Sequence, residues 1–261
     1  MRRHIQILTA IAAALMAPYG MAEAQTLDAA RIANINTATE SFLALAKDSH
    51  TTGKPPRYSD PAAKPLLDTV LNTKQIESDK PLPWSDIQKL NDWSKAATKI
   101  GLVYYLAGTG TQDLKVVAND TNLTVKANQN TVTFAPEFGR YYDAQINLQS
   151  ALIDAASAQV AAATPEQRKD PEFRKTLNNI SDSAAKSVIG LLHTFVLEGL
   201  PDEWQLLRVA LLLKMTPKAA KFMAPDDRQQ LRNAAAEAAT QIKNPDVKSG
   251  VNAVARAFAT F

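Results

Sequence analysis

A helix-capping side chain stands directly before a proline at five points along this chain, and this pairing constrains the fold most strongly. The pairs are Asp60-Pro61, Thr164-Pro165, Asp170-Pro171, Thr216-Pro217 and Asn244-Pro245. The side-chain oxygen of the first residue accepts a hydrogen bond from a free N–H of the first helical turn. Proline in that turn gives up no hydrogen bond that it could have made. The sequence therefore predicts many helices of ordinary length.

Apolar residues also recur every three or four positions, which is the spacing of one helix face. The clearest stripes are Ile35, Ala38, Phe42 and Leu45 near the N-terminus, and Val247, Val251, Val254, Phe258 and Phe261 at the C-terminus. A stripe of this kind buries one side of a helix against its neighbours. We therefore predict a mainly α fold, an irregular multi-helix bundle that forms a single domain over residues 25–261.

The segment 187–215 is apolar on nearly all sides except at a Gly199-Leu200-Pro201 break. This pattern predicts a helical hairpin in the centre of the core, with its turn at 199–202. A membrane hairpin is disfavoured because each arm has only about 12 residues, short of the ~20 that a span needs. Residues 49–83 are instead rich in proline and polar side chains, and we expect a long surface strap there.

The N-terminus has the pattern of a secretory signal. Two arginines precede a mostly apolar stretch over residues 5–19, and the small residues of Ala22-Glu23-Ala24 follow. We predict cleavage after Ala24, so that residues 1–24 are removed and the mature chain begins at Gln25. We expect the mature protein in the periplasm, with the medium as the alternative, and no transmembrane segment within it.

Residues 113–135 depart from the helical spacing. Leu123, Val125, Val132 and Phe134 alternate with polar residues, and turn-forming residues separate the short runs. Alternation of this kind is typical of strands, so we predict a small antiparallel β-hairpin or meander inserted in the bundle. Because two strands alone are marginal in water, the insert must lie on the helices.

Aromatic residues on both sides of the insert form the candidate ligand site. An aromatic-lined notch under the insert would bind a small apolar ligand, whereas the alternative is that the rings are simply core. The candidate residues are Tyr104, Tyr105, Phe134, Phe138, Tyr141, Tyr142 and Arg140.

Most other chemistries lack support in the sequence. The formal charge of +3, which becomes +2 without the signal, is too small and too scattered to indicate nucleic acid binding. The absence of Cys removes every Cys-based metal site or nucleophile. The mature chain keeps only His50 and His193, and we expect the first in a loop and the second in the core. We therefore predict no metal and no cofactor.

One short pattern suggests catalysis. Ser183 and Lys186 match the S-x-x-K of penicillin-binding proteins and related acyl-transferring enzymes. The match lacks the other motifs in their expected places. The sequence thus favours an exported, non-catalytic helical protein that binds a protein partner or a small apolar ligand. A hydrolase or acyl-transferring enzyme with a non-local site, and a structural protein associated with the cell envelope, are the alternatives.

Overall fold

The computed structural model describes residues 27–76 and 81–260, which form twelve α-helices and, within those ranges, no strand. In chain order the helices are α1 (Ala29–Leu45), α2 (Ser49–Thr52), α3 (Lys64–Leu71), α4 (Ile87–Tyr105), α5 (Leu114–Asn119), α6 (Thr121–Thr133), α7 (Ala135–Ala162), α8 (Pro165–Lys169), α9 (Pro171–Phe195), α10 (Asp202–Phe222), α11 (Pro225–Gln241) and α12 (Pro245–Ala259). The mainly helical fold predicted from the sequence is confirmed. The predicted signal peptide lies outside the described residues.

Helices α4 and α7 are the central helices of the bundle. Helix α4 lies between α1 and α7, α7 also contacts α9 and α10, and α12 packs on α10 and α11. Helices α1 and α4 run in the same direction. The backbone N–H of Leu27 donates to Asp86 Oδ2 at 2.6 Å before α4 begins, and the rings of Phe42 and Tyr104 meet 6.0 Å apart near the other end.

Three of the five capping pairs begin helices as predicted. Thr164 accepts from the N–H of Gln167 in a capping box, Asp170 caps α9, and Asn244 caps α12. Asp60 is different, because its carboxylate accepts from the preceding Arg57 N–H at 2.6 Å.

The prediction for Thr216-Pro217 is wrong, since Pro217 lies inside α10. Proline at this position leaves the carbonyl of Leu213 without its helical donor. Thr216, which is fully buried, donates its hydroxyl to Leu212 O at 2.7 Å. The helix continues because Met215, Ala219 and Ala220 bury this turn in the core.

The predicted β-hairpin or meander at 113–135 is also wrong, because α5, α6 and the start of α7 occupy this segment. Asp113 and Asp120 cap α5 and α6, which sets helical backbone geometry at both starts. Among the apolar residues of this segment, Leu114, Val116 and Val125 are exposed to solvent, and Leu123 and Val132 are only partly buried. They carry no information about a buried sheet face.

A buried asparagine fixes α6 instead. Asn130 is buried and its amide donates to Tyr105 O at 3.0 Å and Ala107 O at 2.7 Å. It therefore satisfies carbonyl groups that the end of α4 leaves without helical donors.

In the segment 187–215, α9 ends at Phe195 and α10 begins at Asp202, with Gly199 in a left-handed conformation between them. Leu212 and Met215 of α10 are buried, whereas Leu206 and Leu207 are exposed. None of the described helices has the length and apolarity that a membrane span requires.

Candidate functional site

The aromatic candidate residues lie close together in the structure, but their rings pack against one another. Tyr104, Phe134 and Phe138 are buried in the main core. The ring of Tyr104 lies 5.7 Å from that of Phe134 and 6.3 Å from that of Phe138. The notch suggested by the sequence is thus occupied by its own rings.

Tyr105, Tyr141 and Tyr142 are half-buried at the edge of this aromatic cluster. The rings of Tyr141 and Tyr142 are 5.0 Å apart, and Tyr142 reaches Trp204 of α10 at 6.1 Å. Burial raises the pKa of the phenols of Tyr105, Tyr141 and Tyr142, so these groups stay protonated at neutral pH. Neutral phenols in a packed cluster contribute apolar contacts rather than acid–base chemistry.

The strap is tied to this cluster by hydrogen bonds. Glu137 is buried, and its Oε1 accepts from Arg57 Nε at 3.0 Å and from the Tyr58 N–H at 2.9 Å. The hydroxyl of Tyr104 donates to Pro56 O at 2.8 Å. The strap residues 56–58 therefore lie directly on the aromatic core.

Arg140 is the only candidate with a charge, and its side chain contacts residues of the strap. Its guanidinium lies 3.5 Å from the centre of the Tyr58 ring and 3.8 Å from Asp68 Oδ1. Arg140 therefore helps to hold the strap, and it also lines a surface cleft with Asp143.

Behind that cleft, Asp143 of α7 pairs with the buried Arg208 of α10 at 2.6 Å. The contact requires glycine at position 139, because a Cβ there would lie 2.6 Å from Arg208 Nη2. Burial raises the pKa of Asp143 and lowers that of Arg208, since removal from water costs each charge more than the pairing returns. This pair links α7 to α10.

An open cavity lies elsewhere, between α1 and α4. This α1–α4 groove has a volume of about 350 Å³. Its lining residues are Leu43, Ala46, Lys47, Ser49, His50, Lys99, Leu102, Val103, Leu106 and Gln112. Its walls are mainly apolar, and its polar side chains come from three different parts of the chain.

The short helix α2 and the turn after α4 close one end of the groove. The N–H groups of Gly108 and Gly110 donate to Ser49 O at 3.0 Å and His50 O at 2.7 Å. A Cβ at Gly108 would lie 3.1 Å from the Cα of Gly53, so only glycine permits this crossing. Gln112 Nε2 lies 3.1 Å from His50 Nδ1. His50 is thus held in place on α2 and is not in a loop as the sequence suggested.

Charged residues stand at the other end and on the rim. Lys99 pairs with Glu40 at 3.0 Å, and both side chains are exposed. Lys47, at the end of α1, is exposed and forms no ion pair within the described part of the chain. The groove thus combines apolar walls with cationic and hydrogen-bonding groups at its margins.

The residues that the sequence offered for catalysis do not come together as a catalytic site. Ser183 Oγ accepts from Gln149 Nε2 at 2.9 Å across the α7–α9 contact, and Lys186 is exposed. His193 is exposed rather than in the core. Within residues 27–76 and 81–260, no three His, Asp or Glu side chains come close enough to hold a metal ion.

No protein-family model matches this chain, and neither a curated protein nor a solved structure does. The geometry of the groove is therefore the basis for a functional proposal. The groove was not predicted from the sequence, although one signal for it is present. Leu102 and Val103 are apolar and only partly buried, although they lie on α4 beside the buried Ile100 and Tyr104.

Proposed function

We propose that this protein is an exported, non-catalytic binding protein that holds a small amphiphilic molecule in the α1–α4 groove. The observation that carries this proposal is a cavity with mainly apolar walls and polar side chains among its lining residues. This is the general chemistry of small-ligand sites, in which apolar walls supply affinity and a few polar groups fix orientation.

The size of the groove suits a small ligand. Its volume of about 350 Å³ lies at the lower end of the ~300–1,000 Å³ that is usual for such sites. The α4 wall from Lys99 to Leu106 is about 10 Å long at the helical rise per residue. A medium-length alkyl chain or a two-ring aromatic body fits these dimensions.

The margins favour a ligand with an anionic or hydrogen-bond-accepting head. Lys47 is an ammonium group on the rim that forms no ion pair with any residue of 27–76 or 81–260. The imidazole of His50, whose Nδ1 lies 3.1 Å from Gln112 Nε2, is a second nitrogen-bearing group that lines the groove. A carboxylate head would interact favourably with both groups.

Export is the second part of the proposal, and the sequence of residues 1–24 supports it. The charged start, the apolar stretch and the small residues before Gln25 are the features that signal peptidase recognises. A protein with this export signal and this groove would bind amphiphilic molecules in the periplasm.

Isothermal titration of the purified protein with decanoate tests the groove. We expect one molecule to bind per chain. Leu102→Trp, which fills the groove, weakens binding at least about tenfold, because the apolar contacts are lost. Leu45→Trp is the matched control, since Leu45 is an exposed leucine at the end of α1 that does not line the groove.

The head group is tested separately. Lys47→Glu weakens binding of decanoate but leaves binding of decanol unchanged, because only the charged head loses a partner. Thermal melts verify that each variant is folded. Absence of decanoate binding, or equal binding by the wild-type protein and Leu102→Trp, contradicts the proposal.

A further inference from the structure

A second cleft, of about 550 Å³, lies where α7, α9 and the connection between α10 and α11 meet. Its lining residues come from the end of α7, from within residues 177–182 of α9, and from within residues 221–227, where α10 ends and α11 begins. We name this feature the α9–α11 cleft. It shares no lining residue with the α1–α4 groove.

The α9–α11 cleft is distinct from the surface beside residues 77–80, which the structure does not describe. Ile76 and Pro81, which flank that gap, line a different cleft. Helices α11 and α12 pack along each other and are joined by only three residues, so the end of α12 lies near the start of α11. Phe261, the undescribed residue that follows α12, has no charged side chain. The charges that distinguish this cleft are therefore those of α9, α10 and α11.

Two carboxylates line the cleft from different helices. Asp182 belongs to α9 and Asp227 to the first turn of α11, and neither forms an ion pair with a described residue. Lys221 is the basic residue among the described lining residues, so these carboxylates exceed the ammonium groups by one. Arg228 does not line the cleft, and its guanidinium donates to two carbonyl oxygens at the end of α10. The lining side chains thus favour a cation.

The strongest indication of a ligand is a buried hydroxyl group between these carboxylates and the core. Ser181 lines the cleft and is 8% exposed, and its hydroxyl has no hydrogen-bond partner among the described residues. A buried hydroxyl without a partner costs stability, so such groups are rare in native structures. Rotation about one side-chain torsion redirects a serine hydroxyl. A ligand in the cleft can therefore supply the partner that the protein does not.

Apolar side chains form the rest of the wall. Leu177 of α9 and Phe222 of α10 pack on the core but remain half-buried, and both line the cleft. Val160 of α7 is also half-buried there. A ring such as that of Phe222 attracts a cation as well as an apolar body. Apolar walls with a few polar groups are typical of sites for small organic ligands rather than for bare metal ions.

We propose that the α9–α11 cleft binds a primary amine with a compact apolar body, such as a phenylalkylamine. The ammonium group interacts with Asp182 and Asp227 and donates a hydrogen bond to Ser181 Oγ. The apolar body packs on Leu177 and Phe222. This second site differs from the α1–α4 groove in the charge of its ligand, and it is independent of that groove.

Isothermal titration of the purified protein with 2-phenylethylamine tests the charge preference. We expect one molecule to bind per chain with a Kd below about 1 mM. Binding of 2-phenylethanol, which has the same body without the charge, is at least about tenfold weaker, and 3-phenylpropionate does not bind. Asp227→Asn weakens binding of the amine at least about fivefold. Asp226→Asn is the matched control and leaves binding unchanged, because Asp226 is an exposed carboxylate in the same helical turn that does not line the cleft.

Ser181→Ala separates a ligand contact from a structural role. We expect the ligand-free variant to melt at a higher temperature than the wild-type protein, because a buried hydroxyl without a partner is removed. The same variant binds 2-phenylethylamine about threefold more weakly, since the ammonium group loses an acceptor. A serine that only supports the fold would not show both effects.

Several results would overturn the proposal. The wild-type protein would show no binding of 2-phenylethylamine at concentrations up to about 1 mM. Asp226→Asn and Asp227→Asn would weaken binding equally, which would indicate an effect of net charge only. Equal binding of 2-phenylethanol would make the cleft a purely apolar site. Displacement of the amine by calcium chloride at the same concentration would assign the carboxylates to a divalent cation.

Discussion

Single glycines determine how closely the helices of this bundle approach. Gly250 of α12 lies against Val209 of α10 so closely that a Cβ at this position would overlap the Val209 side chain. Gly190 of α9 has no atom within 4 Å of its would-be Cβ. The two residues are both inside helices, so the backbone contribution to an alanine substitution is the same at each position.

The first prediction compares these two glycines. Gly250→Ala lowers the free energy of unfolding by about 1–3 kcal/mol, because the added methyl group overpacks the α10–α12 contact. Gly190→Ala raises it by about 0.5–1 kcal/mol, since alanine is the better helix former. Urea denaturation of both variants measures the difference. A neutral or stabilising Gly250→Ala would show that α10 and α12 are farther apart.

Asp143 supports a prediction about pH. Burial raises its pKa in the folded protein, so the folded chain holds this proton more tightly than the unfolded chain does. Between the unfolded pKa of about 3.9 and the higher folded value, the stability that Asp143 contributes therefore falls as pH rises.

Urea denaturation of the wild-type protein and Asp143→Asn between about pH 4 and pH 7 measures this contribution. The free energy of unfolding of the wild-type protein, relative to that of Asp143→Asn, falls as pH rises through this range. If the difference rises instead, the attraction of Arg208 exceeds the cost of burial, and the direction of the pKa shift is the opposite.

At the scale of elements, the strap depends on one carboxylate. Glu137 of α7 accepts from both Arg57 Nε and the Tyr58 N–H, and the Arg57–Tyr58 peptide bond lies between these two contacts. Trypsin cleaves after arginine only where the chain can leave its surface. Cleavage at this bond therefore reports local release of the strap.

We predict that Glu137→Leu is cleaved after Arg57 at least about tenfold faster than the wild-type protein. The leucine leaves the Tyr58 N–H without its partner, at a cost of about 1–3 kcal/mol. Glu137→Gln is the control, because its amide oxygen still accepts from Tyr58 N and cleavage accelerates less. Equal rates in all three proteins would show that other contacts hold the strap.

The elements show how far the sequence predicts this fold. The C-terminal stripe Val247, Val251, Val254 and Phe258 is buried in α12, and the capping pairs at Thr164, Asp170 and Asn244 begin helices. In these places local chemistry and packing agree.

Residues 113–135 show why the rest could not be predicted. Their period-two pattern includes exposed apolar residues such as Val125, which tertiary packing does not constrain. The residue that fixes α6, Asn130, is polar, and its partners are carbonyl groups about 25 positions away. A periodicity argument that counts only apolar residues cannot find such a contact.

At the scale of the whole molecule, the grooves depend on long-range packing. The sequence predicted that the aromatic candidates lie close together. In the structure they lie at the α4–α7 contact, where they are part of the core or pack against it. The α1–α4 groove arises because α1 runs parallel to α4, with the strap residues between them in the chain. Helix periodicity gives the buried face of each helix but not its neighbour, so His50 and Leu102 could not be assigned to one cavity in advance.

The most direct test of the α1–α4 groove is native mass spectrometry of the protein purified from its own host, with Leu102→Trp and Leu45→Trp prepared in the same way. We predict that the wild-type chain begins at Gln25 and carries an added mass on the order of a few hundred daltons. The added mass is lost in Leu102→Trp and retained in Leu45→Trp. A wild-type chain without added mass, or an added mass that survives in Leu102→Trp, would contradict the proposal that this groove holds a small amphiphile.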